Sequence, residues 1–204
     1  MQTISFENQL IAPSKIVCIG RNYVEHIKEL ANEIPDEMVI FNKPNSAIST
    51  KLNAFHKQEQ LHYEAELCFL YQGGKFIAVG FGLDLTKRGL QGKLKAKGLP
   101  WERAKSFDGS AVFSEFVAID DINNSLTLEL TIDDKLIQQG GVELMMHKPQ
   151  QILTEITRFM TLEDGDVIMT GTPKGVGVIE GGAYFSAKVL LNSETLLSQT
   201  WQAS

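Results

Sequence analysis

The sequence predicts an α+β domain with more strand than helix. Short apolar runs recur along the chain, turn-forming Gly-Gly and Asp-Asp pairs separate some of them, and one stretch has a well-developed helical apolar face. With 204 residues, 43% hydrophobic and 22% charged, the chain has ordinary globular composition and enough length for a sizeable core, so one domain spanning 1–204 is expected.

In order, Lys15-Ile16-Val17-Cys18-Ile19 reads as a buried strand ending at Gly20. Residues 22–30 have helical character, with Pro35 beyond their end. Met38-Val39-Ile40-Phe41 is a further strand, stopped by Lys43-Pro44. Residues 45–60 are polar and weakly periodic, which suggests a connection between strands or a loop over an active site. Two strands, 61–70 and 76–83, flank the turn Gln72-Gly73-Gly74. Residues 86–97 carry Leu90 and Leu94 at helical spacing and form a short helix closed by Gly98. Strands 116–119 and 126–132 follow, and Asp133-Asp134-Lys135 turns the chain into Leu136-Ile137. Residues 149–160 form the best amphipathic helix, with Ile152, Ile156 and Phe159 on one side. Strands 167–169, 184–190 and 194–197 complete the chain.

Nineteen basic against twenty-five acidic residues leave a net charge of −6, which argues against a nucleic-acid surface and is compatible with a local cation site. The N-terminal residues lack the pattern of a signal peptide, and no uncharged apolar stretch is long enough for a bilayer, so no membrane partner and a cytoplasmic location are expected. Cys18 and Cys68 lie far apart in apolar runs and read as buried reduced thiols.

The most informative segment is His62-Tyr63-Glu64-Ala65-Glu66. Strand alternation points Glu64 and Glu66 to one face, with His62 beside them. Two carboxylates that close repel by roughly 4 kcal/mol at an effective dielectric of about 20, a cost that a cation removes. Asp84 ends the next apolar run, so pairing of the two strands would bring three acids together. An all-carboxylate site favours Mg²⁺ or Mn²⁺ over zinc. The competing reading is a wet strand face.

Three other segments carry candidate chemistry. His26 and Glu29, three apart on a helix, can hydrogen-bond, which fixes the His tautomer and raises its basicity, although a solvated ion pair has the same spacing. Lys105 could bind a substrate carboxylate or simply lie on the surface. Thr170-Gly171-Thr172-Pro173-Lys174-Gly175-Val176-Gly177 is a loop whose backbone N–H groups can approach an anion, or a structural turn; it lacks a Walker ending.

Together these segments, with Gly20-Arg21-Asn22-Tyr23, Asp84-Leu85-Thr86-Lys87-Arg88, Gln91 and Ala104-Lys105-Ser106-Phe107, resemble the fumarylacetoacetate hydrolase family over residues 15–190. The likeness is to its short single-domain acylpyruvase and oxaloacetate decarboxylase branch. It implies a mixed β-roll or sandwich with flanking helices, usually a homodimer. It also implies that Glu64, Glu66 and Asp84 bind Mg²⁺ or Mn²⁺, and that His26 and Glu29 form a water-activating pair on a segment that orders over ligand. Lys105 joins them as a catalytic position, and Arg21, Tyr23, Arg88, Gln91 and Thr172 become substrate-contacting positions. Gly89 departs from the family pattern, which commonly has an acid there.

The expected activity is metal-dependent hydrolysis of a carbon–carbon bond in a small acylpyruvate. The alternatives are oxaloacetate decarboxylation, keto–enol tautomerisation of a 2-oxo dicarboxylic acid, and a non-catalytic 2-oxo-acid binding protein. Groups around the substrate's distal end are expected from residues 45–60.

Overall fold

The structure, a computed structural model, describes residues 1–204. Its first half holds strand β1 (Lys15–Gly20), helix α1 (Val24–Glu29), strands β2 (Val39–Pro44) and β3 (Ile48–Ser49), and the hairpin of β4 (Ala65–Gln72) and β5 (Lys75–Asp84). Helices α2 (Arg88–Ala96) and α3 (Glu102–Lys105) follow, then β6 (Ala111–Phe113), β7 (Leu126–Ile132) and β8 (Lys135–Gly141). Helix α4 (Pro149–Phe159) leads to β9 (Val167–Met169), β10 (Tyr184–Leu191) and β11 (Glu194–Gln202). The fold is strand-rich α+β, as the sequence indicates.

The large sheet has the order β2-β1-β9-β4-β5-β6-β3, and the short strand Val117–Ala118 also pairs with β5. A four-stranded antiparallel sheet has the order β8-β7-β10-β11. Alternation gives the large sheet two apolar faces. Ala65, Leu67 and Phe69 of β4 pack in one cluster with Leu126, Leu128 and Val189 of the second sheet. Cys68 and Leu70, pointing the other way, join Cys18, Phe116 and Met169, with Ile4 of the N-terminal hairpin. Both thiols are buried and free.

The β4–β5 hairpin turns on Gly73 and Gly74, with φ of 58° and 85°, the paired left-handed conformation of a type I′ turn. Its register then shifts. Phe76 opposes Tyr71 but Ala78 opposes Leu70, so Ile77 is an extra, bulged residue. Beyond the bulge Gly82 opposes Glu66 and Leu83 opposes Ala65. Directly opposed residues share a sheet face, so Asp84 projects on the face of Glu66. Without the bulge Leu83 would oppose Glu64, and Asp84 would point to the opposite side.

Several boundaries differ from the expectation. β2 runs through Lys43 to Pro44, because an edge strand tolerates a residue without an N–H. On α4, Ile152 and Ile156 are buried with Leu153, but Phe159 is 60% exposed; the chain leaves the helix at Met160, and Leu162 enters the core. Helix α2 ends as expected at Gly98, whose φ is +62°, with Leu99 N–H donating to the Leu94 carbonyl at 3.0 Å. No helix is long and apolar enough to cross a membrane.

Asp166 ties the start of β1 to the loop before β9. It accepts from the Ser14 and Lys15 amides at 3.0 and 3.1 Å, the Ser14 hydroxyl at 2.7 Å and the Glu163 amide at 2.9 Å, and pairs with the Lys15 ammonium. Burial alone would raise its pKa, but the bonds from Lys15, Glu163 and Ser14 outweigh that and hold it below the ordinary aspartate range. A depressed folded-state pKa gives stabilisation that is complete above the unfolded-state pKa and is lost as pH falls through the folded one. Asp166→Asn is therefore expected to cost about 2 kcal/mol in urea unfolding at pH 7. The gap from wild type should narrow as the pH is lowered into the acid range.

Candidate active site

The strand face set by the bulge collects the acids. Glu64 lies just before β4, Glu66 within it and Asp84 at the end of β5, and the Asp84 amide donates to the Glu64 carbonyl at 2.9 Å. One carboxylate oxygen from each lies within 4.8 Å of the others, and all three residues are buried. The wet-face reading is thus overturned: these carboxylates sit inside the protein.

Their partners are unequal. Glu64 accepts from Arg88 and from Lys105 Nζ at 2.9 Å, and Thr86 Oγ1 lies at 3.2 Å. Asp84 pairs with Lys105 at 2.7 Å and Lys43 at 2.8 Å. Glu66 has no cationic partner in contact; its carboxylate accepts the Gly171 amide at 2.7 Å. Burial pushes Glu64 up, but Lys105 and Arg88 prevail and hold it well below the usual carboxylate range. Burial, then Asp84 and Glu64, push Glu66 well above that range. Glu66 is the acid whose charge lacks an answer within the protein. Three converging buried carboxylates with one uncompensated charge, and no thiol or imidazole among the donors, fit a hard divalent cation such as Mg²⁺ or Mn²⁺.

Lys105 is buried, not on the surface. Its three ammonium protons are matched by Glu64, Asp84 and Thr86 Oγ1, the last at 2.7 Å. Burial lowers its pKa, but Asp84 and Glu64 outweigh it and the net shift is upward. Lys43, which the sequence reading took only as a strand stop, is 0% exposed. Its ammonium donates to the Lys105 carbonyl and, at 3.1 Å, to Ser110 Oγ. The available signal was a lysine inside an apolar strand run, a place where a charge needs a buried partner.

The remaining candidates divide. His26 Nδ1 lies 3.1 Å from Glu29 Oε2, and Glu29 Oε1 accepts the Gly175 amide at 3.0 Å. Two amides of the 170–177 loop therefore do meet anions, the protein's own Glu66 and Glu29. Thr172 Oγ1 accepts from Gln138 Nε2 at 2.9 Å, and Gln138 Oε1 accepts the Ala65 amide at 3.0 Å. This buried glutamine, absent from the sequence reading, ties the loop to β4. Arg88 donates to Gln91 Oε1 at 2.9 Å.

A cleft of about 30 Å³ is lined by the three acids with Arg21, His26, Arg88, Gln91, Lys105 and Thr172. Tyr23 is not in that lining; its hydroxyl is buried without a partner, and burial followed by Glu66 pushes its pKa up. His62 also stays outside, forming a backbone bridge to Thr86. Residues 45–60 contribute nothing to the lining, because they are drawn into short strands pairing elsewhere; Lys95 of α2 and Trp101 take that place. Gly89 faces open space. A larger hollow of about 550 Å³ beside Glu37, His147 and Arg158 contains none of the acids.

The family model described as fumarylacetoacetate (FAA) hydrolase C-terminal matches residues 15–73 and 77–198. The chain belongs to the fumarylacetoacetate hydrolase family. Among its relatives in that family is the oxaloacetate tautomerase YcgM of Escherichia coli K12, 38% identical over 186 residues, covering 83% of this chain and 85% of that protein. An Oleispira antarctica structure classed with fumarylacetoacetate isomerases and hydrolases superposes with a TM-score of 0.94 at 34% identity, with all of both chains covered. The Pseudomonas aeruginosa fumarylpyruvate hydrolase, crystallised with Mn²⁺ and pyruvate, has the same fold at 24% identity, with a TM-score of 0.88 over all of this chain and 96% of that one.

Saturating Mn²⁺ or Mg²⁺ should raise the melting temperature; at 100 times Kd the gain is about 2.7 kcal/mol. Glu66→Gln should abolish that shift in differential scanning fluorimetry. Its metal-free melting temperature should equal or exceed that of wild type, because the change removes a buried charge lacking a cation. A retained metal shift would dismiss the triad as the binding site.

Proposed function

We propose that this protein is a divalent-metal-dependent keto–enol tautomerase of a small 2-oxo dicarboxylic acid, with oxaloacetate the leading substrate. One observation carries the reading: His26, backed by Glu29 at 3.1 Å, lines the same cleft as the three acids. The 38% identical Escherichia coli tautomerase supports this reaction over acylpyruvate hydrolysis, which needs in addition a water aligned on a second carbonyl.

Glu64, Glu66 and Asp84 would hold the Mg²⁺ or Mn²⁺ ion, which when bound supplies Lewis-acid polarisation of the 2-oxo group and its neighbouring carboxylate. The protein's own groups handle the proton. Glu29 accepts from His26 Nδ1, so the imidazole carries its proton there and leaves the Nε2 lone pair free. Nε2 takes a proton from the C3 methylene, and the imidazolium is steadied by Glu29. The Gly175 amide holds Glu29 in place for that purpose. Return of the proton to the 2-oxo oxygen completes the exchange to the enol, and the reverse order gives the ketone. Arg88 and Gln91 flank the acids and position the substrate's 1-carboxylate. At about 30 Å³ the cleft is smaller than a four-carbon acid, so substrate entry requires its walls to open.

The test follows the ultraviolet absorbance of enol-oxaloacetate with Mg²⁺ present, with pyruvate release and acetylpyruvate cleavage measured in parallel. Wild type should speed enol loss without a matching yield of pyruvate, and His26→Ala should lower that rate at least about 100-fold. Faster cleavage of acetylpyruvate than enol conversion would restore the hydrolase reading, and stoichiometric pyruvate would make the protein a decarboxylase.

A further inference from the structure

Arg88, Gln91 and Lys95 stand at positions i, i+3 and i+7 of α2, so one stripe of the helix faces the cleft. The first two are engaged near the acids, Arg88 with Glu64 and Gln91 with Arg88. Lys95 lies one turn further out, about 6 Å along the axis from Gln91. Its ammonium sits 5.0 Å from the centroid of the Trp101 ring and makes no ion pair.

Arg21 lines the same part of the cleft. Its φ of +56° places a non-glycine residue in the left-handed region. Its Nε is buried without a partner, and Nη1 makes only a 3.5 Å contact with the Glu33 carbonyl. Lys43, Arg88 and Lys105 each meet a cleft acid, whereas Arg21 and Lys95 meet none. Burial, then Arg21 and Arg88, lower the Lys95 pKa to about 8. The component missing from this end of the cleft is an anion.

We infer that Lys95, stacked on Trp101 and assisted by Arg21, is a specificity-determining residue that takes the distal carboxylate of the ligand and so selects dicarboxylates over monocarboxylates. The inference rests on the 2-oxo-acid reading of the acidic end. The carboxylate and 2-oxo group would occupy the acids' end of the cleft, and the second carboxylate would extend along α2 to the ammonium. The monocarboxylate would leave half-buried Lys95 and Arg21 unanswered, which is the basis of discrimination.

The test uses unreactive ligands with Mn²⁺-saturated protein and calorimetric titration. Malate has a distal carboxylate, and 2-hydroxybutanoate is the same four-carbon skeleton without it. Wild type should prefer malate by at least about tenfold, Lys95→Met should reduce the preference below about threefold, and Lys95→Arg should retain most of it. Circular dichroism melts check that both variants are folded. A wild-type ratio in Lys95→Met, or no preference or binding by wild type, overturns the inference. Because no turnover is measured, a failed oxaloacetate assay would remove the tautomerase reading and leave this result standing.

Discussion

The burial of three carboxylates on one face of an otherwise apolar sheet is the constraint around which the protein is arranged. Like charges at such distances repel strongly where water is excluded, and each needs a compensating group. Lys43, Arg88 and Lys105 supply compensation for Glu64 and Asp84, and all three come from elements that surround the hairpin: the edge strand β2, helix α2 and helix α3. Their positions are therefore determined by the acids as much as by the core. Glu66, left with a backbone amide, is the point at which the protein's own charges do not suffice.

That same constraint extends to the 170–177 loop. Gly171 has φ +95°, and a Cβ there would stand 2.9 Å from Asn22 Cβ, so the amide that reaches Glu66 requires glycine. Four residues on, Gly175 holds Glu29, which holds His26. The loop thus connects the acids to the imidazole through two backbone bonds, with Gln138 fastening its middle to β4. The candidate metal ligand Glu66 and the His26–Glu29 pair are held by one segment.

The cations describe the ligand as well as the fold. Those near the strands are neutralised within the protein, and those further along α2 and at Arg21 are not. A cleft built in this way has a floor in which Glu66 alone lacks a cationic contact and an outer wall with two unpaired cations. Such a gradient suits a dianionic ligand lying end to end along the cleft.

Much of this was legible without coordinates. The Gly-Gly hairpin, the acid spacing, the His26–Glu29 separation, the Gly98 closure of α2 and the span of α4 are local matters, determined by alternation, helical period and turn chemistry over a few residues. Lys43, Gln138 and Lys95 were not legible, because their roles depend on partners from 34 to 73 residues away or on a cleft wall assembled from separate elements. The clearest division lies in the hairpin. The sequence by itself determined that Glu64 and Glu66 share a face, since two residues is the strand period. Whether Asp84 joins them was decided by the bulge at Ile77, a register choice made by packing of the whole sheet, and one residue's slip there would have sent the third acid to the other side.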